Sequence, residues 1–372
     1  MKKLLLALTF LTSVFAVNAQ KAAWKSGILV DDFIYDTAAF PQCHSATIEE
    51  TPQGMVAAFF GGTREGHPDV EIYLSHYKKG IWSKPKSVAN GILSDTLRKA
   101  CYNPVLFQVE NGPLLLFYKI GNRVSDWKGY MKRSTDGGYT WGPQESLPEG
   151  YLGPIKNKPF MIDGELYCPS STEVGGWKFH FEITPDLGKT WRRIGPLNDG
   201  KEILCIQPSI LFHKKGVLQV LGRTRNRQIA QAWSQDNGKT WGPVTLTDMP
   251  NNNSGTDAVT LKDGRHLLVY NHVRVPDSIP NPKGPRTPLN LAISKDGKNW
   301  EAALVLENSP ISQYSYPTIM QAKDGKVHIV YTWRRLSVKH VIIDVNELKT
   351  KKIKNGQWPG GNNVVGVVTL DP

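Results

Sequence analysis

Four short stretches repeat along the chain: STDGGYTW at 134–141, TPDLGKTW at 184–191, SQDNGKTW at 234–241 and a shortened SKDGKNW at 294–300. The first three stand 50 residues apart. A repeat of that length implies units that bury their apolar faces only against their neighbours, as in a solenoid or a propeller. A second pattern gives the number of units. Apolar runs paired about a glycine turn occur as HSATIEETPQGMVAAFF, NPVLFQVENGPLLLFY, NKPFMIDGELYCPS, QPSILFHKKGVLQVLGR, TDAVTLKDGRHLLVYN and YPTIMQAKDGKVHIVYTW, with turn glycines Gly54, Gly112, Gly164, Gly216, Gly264 and Gly325. Each reads as a β-hairpin, and each tryptophan turn closes an outer hairpin of the same unit. Four strands per unit and six units make an all-β chain, a six-bladed β-propeller of four-stranded antiparallel blades. No stretch keeps a helical period.

The tryptophan turns carry their own structural logic. The aspartate bonds turn amides, glycine takes positive φ, and tryptophan packs between strands. Asp136, Asp186, Asp236 and Asp296 are therefore expected on the outer rim in a structural role. The first unit keeps only a decayed version, SHYKKGIW.

Residues 1–19, MKKLLLALTFLTSVFAVNA, read as a secretory signal peptide: two lysines, an apolar stretch, and Val17-Asn18-Ala19 before the cleavage point. The chain is then exported, to a periplasm or beyond, with residues 20–372 as a single propeller domain and no membrane insertion after cleavage. The formal charge of +12 is spread without a basic block. In an exported protein it favours an acidic glycan as partner and not nucleic acid. Four cysteines leave a disulfide open, with Cys43 and Cys101 in adjacent units. There is no P-loop, no dinucleotide-binding glycine pattern and no H-E-x-x-H, so neither cofactor nor metal is expected.

In a propeller the first strand of every blade lines the axis. Aligned on Ala46, Pro104, Pro159, Pro208, Ala258 and Pro317, the preceding positions are Ser45, Asn103, Lys158, Gln207, Asp257 and Tyr316, all polar. Two positions before these stand Cys43, Cys101, Lys156, Cys205, Gly255 and Tyr314. The ends of second strands and nearby loops supply Arg64, Glu65, His67, Asp69, Glu173, Arg223, Arg225, Arg286, Trp333, Arg334 and Arg335. Arginines at such a mouth suit bidentate capture of a carboxylate, and Trp127, Trp177 or Trp333 suit stacking on a sugar face.

These turns resemble the Asp boxes (BNR repeats) of the sialidase-like superfamily of secreted six-bladed propellers, over essentially all of residues 28–345. The resemblance implies a site that holds a carboxylate with three arginines, a tyrosine nucleophile assisted by a glutamate, and an acidic residue as acid/base. QYSYP resembles the nucleophile motif and assigns it to Tyr314. GPRTPL and VLGR resemble segments bearing triad arginines, here Arg286 and Arg223. TREGHPD resembles the acid/base loop, with Glu65 or Asp69 as the carboxyl. Two positions depart from the pattern: His44 stands where the first arginine belongs, and ILCIQP offers Gln207 but no glutamate.

The resulting expectation is an exo-acting glycoside hydrolase that removes a terminal acidic sugar from an oligosaccharide or polysaccharide. Tyr314, His44, Glu65 and Asp69 form its catalytic set. Arg64, Arg223, Arg286, Asn103, Lys158, Gln207, Asp257, Tyr316 and Trp333 form its binding set. A polysaccharide lyase on uronate-containing glycans, using His44 and Tyr314, and a non-catalytic glycan-binding propeller are the alternatives.

Overall fold

The computed structural model describes residues 24–280, 283–361 and the backbone of 368–369; the leader reading for residues 1–19 lies outside them. Six antiparallel sheets follow one another around an axis, each running from an inner to an outer strand. The inner strands are Gln42–Thr51, Ala100–Gln108, Phe160–Ile162, Cys205–Phe212, Asp257–Thr260 and Tyr314–Gln321, which head blades 1 to 6. The ring closes with a strand from the start of the chain. Ile28–Phe33 supplies the outermost strand of blade 6, paired antiparallel with Ser337–Ile343. The start of the chain is thus joined to its last blade, which closes the ring.

Apolar side chains meet between blades, not within one central core. Separate buried clusters fill each of the six interfaces: Phe60 with Tyr118 between blades 1 and 2, Phe117 with Cys168 between 2 and 3, and Phe181 with Val220 between 3 and 4. Leu221 meets Tyr270 between 4 and 5, Leu291 meets Ile329 between 5 and 6, and Phe59 meets Val330 across the closure. All four cysteines are buried and free, so the open question of a Cys43–Cys101 bridge resolves to packed thiols. A Cβ on Gly222 would meet the Cys205 sulfur at 2.3 Å, which explains the glycine there.

The tryptophan turns join third and fourth strands at the rim. Asp136 accepts hydrogen bonds from Thr140 N at 2.9 Å and Thr140 Oγ1 at 2.6 Å, and from Ser134 Oγ at 2.7 Å. Trp141 Nε1 returns to the Gly138 carbonyl. The set recurs at Asp186 and Asp236; in the shortened version Asn299 replaces threonine beside Asp296. Hydrogen bonds from Thr140, Thr190 and Thr240 hold Asp136, Asp186 and Asp236 at a pKa of about 2, so these carboxylates stay ionised. Their hydrogen-bonding capacity is spent on their own turns.

Candidate active site

The inner strands carry a distortion that decides which side chains reach the axis. In blades 1, 2, 4 and 6 the pairing of inner and second strands slips at a bulge. The residue at each bulge has positive φ: Ser45 at 55°, Asn103 at 40°, Gln207 at 54° and Tyr316 at 52°. A bulge re-aims a side chain, and holding a non-glycine residue there costs on the order of 1–3 kcal/mol. The consequence is largest in blade 6. Regular alternation would put Tyr314 and Tyr316 on one face of the strand; the bulge separates them.

Tyr314 is fully buried between blades 5 and 6. Its hydroxyl accepts from Arg334 Nε at 3.0 Å, away from the axial cluster. Tyr316 is the tyrosine at the axis. Its hydroxyl accepts from Arg223 Nη1 at 2.8 Å and Gln207 Nε2 at 3.3 Å. Its ring lies 5.6 Å from the Arg286 guanidinium, 5.7 Å from that of Arg223 and 5.8 Å from Lys156 Nζ. The structure thus brings Tyr316, and not Tyr314, to the axial cluster, a difference that the motif's spacing does not register because the bulge lies between them.

His44 completes the cluster. It is buried, its ring centroid lies 4.2 Å from that of Tyr316, and its Nδ1 is 2.8 Å from Thr332 Oγ1. Burial, followed by the charges of Arg335, Arg286, Arg223 and Lys156, holds it well below the ordinary histidine range. In the free protein it is a neutral imidazole. Burial also lowers Arg286 to about 10 and Lys156 to about 8, so both remain largely charged at neutral pH.

Each cation is fixed by a neighbouring carbonyl, amide or carboxylate. Arg223 gives Nε to Asn253 Oδ1 and Nη1 to Gln207 Oε1, both at 3.2 Å. Arg286 gives Nη1 to Gln313 Oε1 at 2.7 Å. The Asn251-Asn252-Asn253 run joins the two: Asn251 Oδ1 accepts from Thr224 N, and Asn252 Nδ2 donates to the Pro285 carbonyl. Arg335, at φ 61° in the blade 6 turn, bonds Glu65 at 2.6 Å. Lys156 donates to the carbonyls of Thr256 and Pro317. It fits because Gly255 lacks a side chain; a Cβ there would come 3.0 Å from Lys156 Cε.

The remaining expected site residues separate clearly. Glu65 reaches the mouth through Arg335. Asp69 closes its own loop, bonding Thr63 N, Thr63 Oγ1 and His67 Nδ1. Desolvation alone would raise its pKa, but the Thr63 and His67 contacts win and hold it below the ordinary value. Asp69 is thus turned into its own loop, while Glu65 faces Arg335. Arg64 is exposed on the same loop, its carbonyl receiving His67 N. Asn103 holds the blade 2 bulge, and its carbonyl receives Lys119 Nζ.

Lys158 and Asp257 do not join the cluster. Lys158 pairs with Glu49 at 2.7 Å, and Asp257 bonds Asn157, Ser209 and the Ile319 amide. Both border a cavity of about 180 Å³ further along the inner strands. Blades 3 and 5 have short inner strands and no positive-φ residue at this position, so their aligned residues aim elsewhere. Trp333 packs edge-on against Phe33 at 5.2 Å and under Arg334.

Lys156 was absent from the expected site. Its one sequence signal is a charged residue at the position occupied by cysteine in blades 1, 2 and 4. Among the described residues no group of three or more His, Cys, Asp or Glu is placed to hold a metal ion, and no helix is long and apolar enough to cross a membrane. Two larger cavities, of about 590 Å³ beside Asp296, Trp300 and Lys352 and about 480 Å³ beside His76, Trp82 and Tyr139, lie at the outer rim. Neither is lined by any residue of the axial cluster.

Residues 53–329 match the family model described as a BNR repeat-like domain. Among curated proteins none matches. Solved structures share the fold at low identity. A protein of unknown function from Dyadobacter fermentans superposes with a TM-score of 0.68 at 17% identity, over 87% of this chain and 99% of that one. The NanB sialidase of Streptococcus pneumoniae gives 0.65 at 13%, over 87% and 71%. The Penicillium chrysogenum alpha-L-arabinanase, solved with arabinobiose, gives 0.65 at 16%, over 87% and 99%.

Proposed function

Because this chain belongs to the BNR repeat-like domain family, with a sialidase-like six-bladed propeller, we propose that it is a glycan-processing enzyme that receives a carboxylated sugar at the axial cluster. The observation that carries this reading is the Tyr316 hydroxyl bonded by Arg223 at 2.8 Å, with Arg286 against its ring. Four cations, Arg223, Arg286, Arg335 and Lys156, stand against Glu65, which pairs with Arg335, and Asp257, whose charge reaches Lys156. That imbalance favours an anionic ligand, and planar guanidinium groups suit a carboxylate.

In the hydrolytic reading the arginines hold the sugar carboxylate and Tyr316 Oη attacks the anomeric carbon. His44 takes the phenol proton as attack begins. The incoming carboxylate offsets the arginine charges that depress His44, so binding strengthens the base it needs. Glu65, freed when Arg335 turns to the incoming carboxylate and protonated from solvent, gives that proton to the departing glycosidic oxygen. It then takes a proton from the water that attacks the same carbon and displaces Tyr316, whose oxygen recovers its proton from His44. Export through the 1–19 leader would place this reaction outside the cytoplasm.

One observation favours a second reading. The partner of Tyr316 from blade 4 is the amide of Gln207, not a carboxylate. A neutral histidine beside a tyrosine suits β-elimination from a uronate: His44 removes the proton α to the carboxylate, electrons form the C=C bond, and Tyr316 protonates the leaving oxygen. The experiment is a screen of sialylated and uronate-containing oligosaccharides, followed by both reducing-end release and ultraviolet absorbance. Release without absorbance supports hydrolysis, and absorbance supports elimination. Binding without either leaves a glycan-binding propeller, and no binding of any acidic glycan overturns the proposal.

A further inference from the structure

Outside the cluster, one indole carries two guanidinium groups. Trp177 precedes the strand Lys178–Thr184 of blade 3, and its Nε1 donates to Glu173 Oε2 at 2.9 Å, which fixes the ring plane. Arg223 Cζ lies 5.0 Å from the ring centroid and Arg225 Cζ 4.4 Å. The two arginines stand at alternate positions at the end of the blade 4 strand Leu218–Thr224. They therefore share a side of the backbone.

Their surroundings differ sharply. Arg223 is buried and committed to Asn253, Gln207 and Tyr316. Arg225 is exposed. Among the described residues its guanidinium has no hydrogen bond and no ion pair; its one side-chain partner is the Trp177 face. An exposed arginine ordinarily samples many rotamers. One laid on an indole keeps its planar fork oriented at reduced entropic cost to a ligand. Two like charges on one platform repel, and an anion bridging the mouth relieves that repulsion.

We propose that Arg225 and Trp177 form an outer subsite for a second acidic sugar. The substrate class is then a polyanionic glycan with acidic units in succession, not a neutral chain tipped by one acid. This rests on the reading of the axial cluster as the first carboxylate site. Arg223 is the shared element: it holds the first acid and, through Trp177, sets the place of the second.

The test uses the full folded protein and four probes: N-acetylneuraminic acid and its α2,8-linked dimer, galacturonic acid and digalacturonic acid. Calorimetric titration gives a dissociation constant for each. The expected result is that one dimer binds about tenfold or more tightly than its own monomer, the gain of one charge-assisted contact. In Arg225→Gln, which keeps an amide over the indole, that ratio falls to about one. A dimer advantage that survives Arg225→Gln overturns the subsite. So does a wild-type protein that binds monomer and dimer equally, an outcome that leaves the axial reading standing. If neither member of either pair binds, the subsite is overturned, while the axial reading is decided by the wider screen of acidic glycans.

Discussion

Arg223 donates to the Tyr316 hydroxyl at 2.8 Å although the two residues come from blades 4 and 6. The contact crosses the axis and exists because Tyr316 sits at a left-handed bulge. A phenol held by a guanidinium keeps its oxygen in one place on the axis, whether it serves as nucleophile or as proton donor. The consequences of that placement can be measured one residue at a time.

The carboxylate clamp comes first. Arg223→Lys and Arg286→Lys keep the charge and remove the planar fork. Each is expected to weaken binding of an acidic sugar by about 10- to 100-fold, the scale of a lost charge-assisted hydrogen bond. The comparison is the methyl ester of the same sugar. An ester that binds as tightly as the free acid would show that the arginines do not read the carboxylate.

Arg227 tests how the clamp is held in place. Its guanidinium donates to the carbonyls of Asp277 and Ile279, at 3.2 and 2.6 Å, and so pins the loop that brings Arg286 to the mouth. Arg227→Ala is expected to raise KM by about 3- to 10-fold with little change in kcat, because it loosens a binding group and leaves Tyr316 alone. A fall in kcat at constant KM would contradict that role.

The rim turns should affect folding only. Asp236→Ala removes the acceptor of Thr240 N and Thr240 Oγ1 far from Tyr316. The expected outcome is a lower melting temperature with kcat/KM preserved in the folded fraction. Lost turnover at an unchanged melting temperature would give the turn a functional part.

Several buried histidines make stability depend on acid. Burial lowers His272 to about 4 and His340 to about 3, and His44 lies well below its ordinary value for the same first reason. Unfolded histidines take up protons below pH ~6.5, while these do not in the folded chain. Stability is therefore full above that pH and falls as pH drops, until the folded groups also protonate. His272 and His340 are expected to cost on the order of 2–3 kcal/mol each by pH ~4. Urea midpoints at pH 7.5, 6 and 5 check the sign, and a midpoint that rises on acidification would contradict it.

The sequence was most legible where the signal is local. The Asp-to-threonine and tryptophan-to-glycine bonds of each turn lie within a few residues of one another, so their repetition revealed both turn and stride. Blade number followed from glycine hairpins for the same reason. The axial site was only partly legible because it depends on departures from regular pairing. QYSYP presents two tyrosines two residues apart, and only the bulge at Tyr316 decides which reaches the axis. Arg334 and Arg335 are likewise adjacent, yet one turns to Tyr314 and the other to Glu65. Lys158 and Asp257 stand apart from the axial cluster because blades 3 and 5 lack the bulge that the alignment assumed. Lys156 depends on a missing side chain at Gly255, contributed by another blade.

The central claim is that Tyr316, and not Tyr314, is the reacting tyrosine. The direct measurement is kcat for Tyr316→Phe and Tyr314→Phe on the best acidic glycoside from the substrate screen, with melting temperatures taken in parallel. Tyr316→Phe is expected to lose at least about 100-fold in kcat, the usual scale for an acid, base or nucleophile, while staying folded. Tyr314→Phe leaves Arg334 Nε without its acceptor, which is expected to cost about 1–3 kcal/mol of stability and to retain turnover. A Tyr316→Phe protein that turns over at the wild-type rate, or a Tyr314→Phe protein that is folded and inactive, would contradict the account.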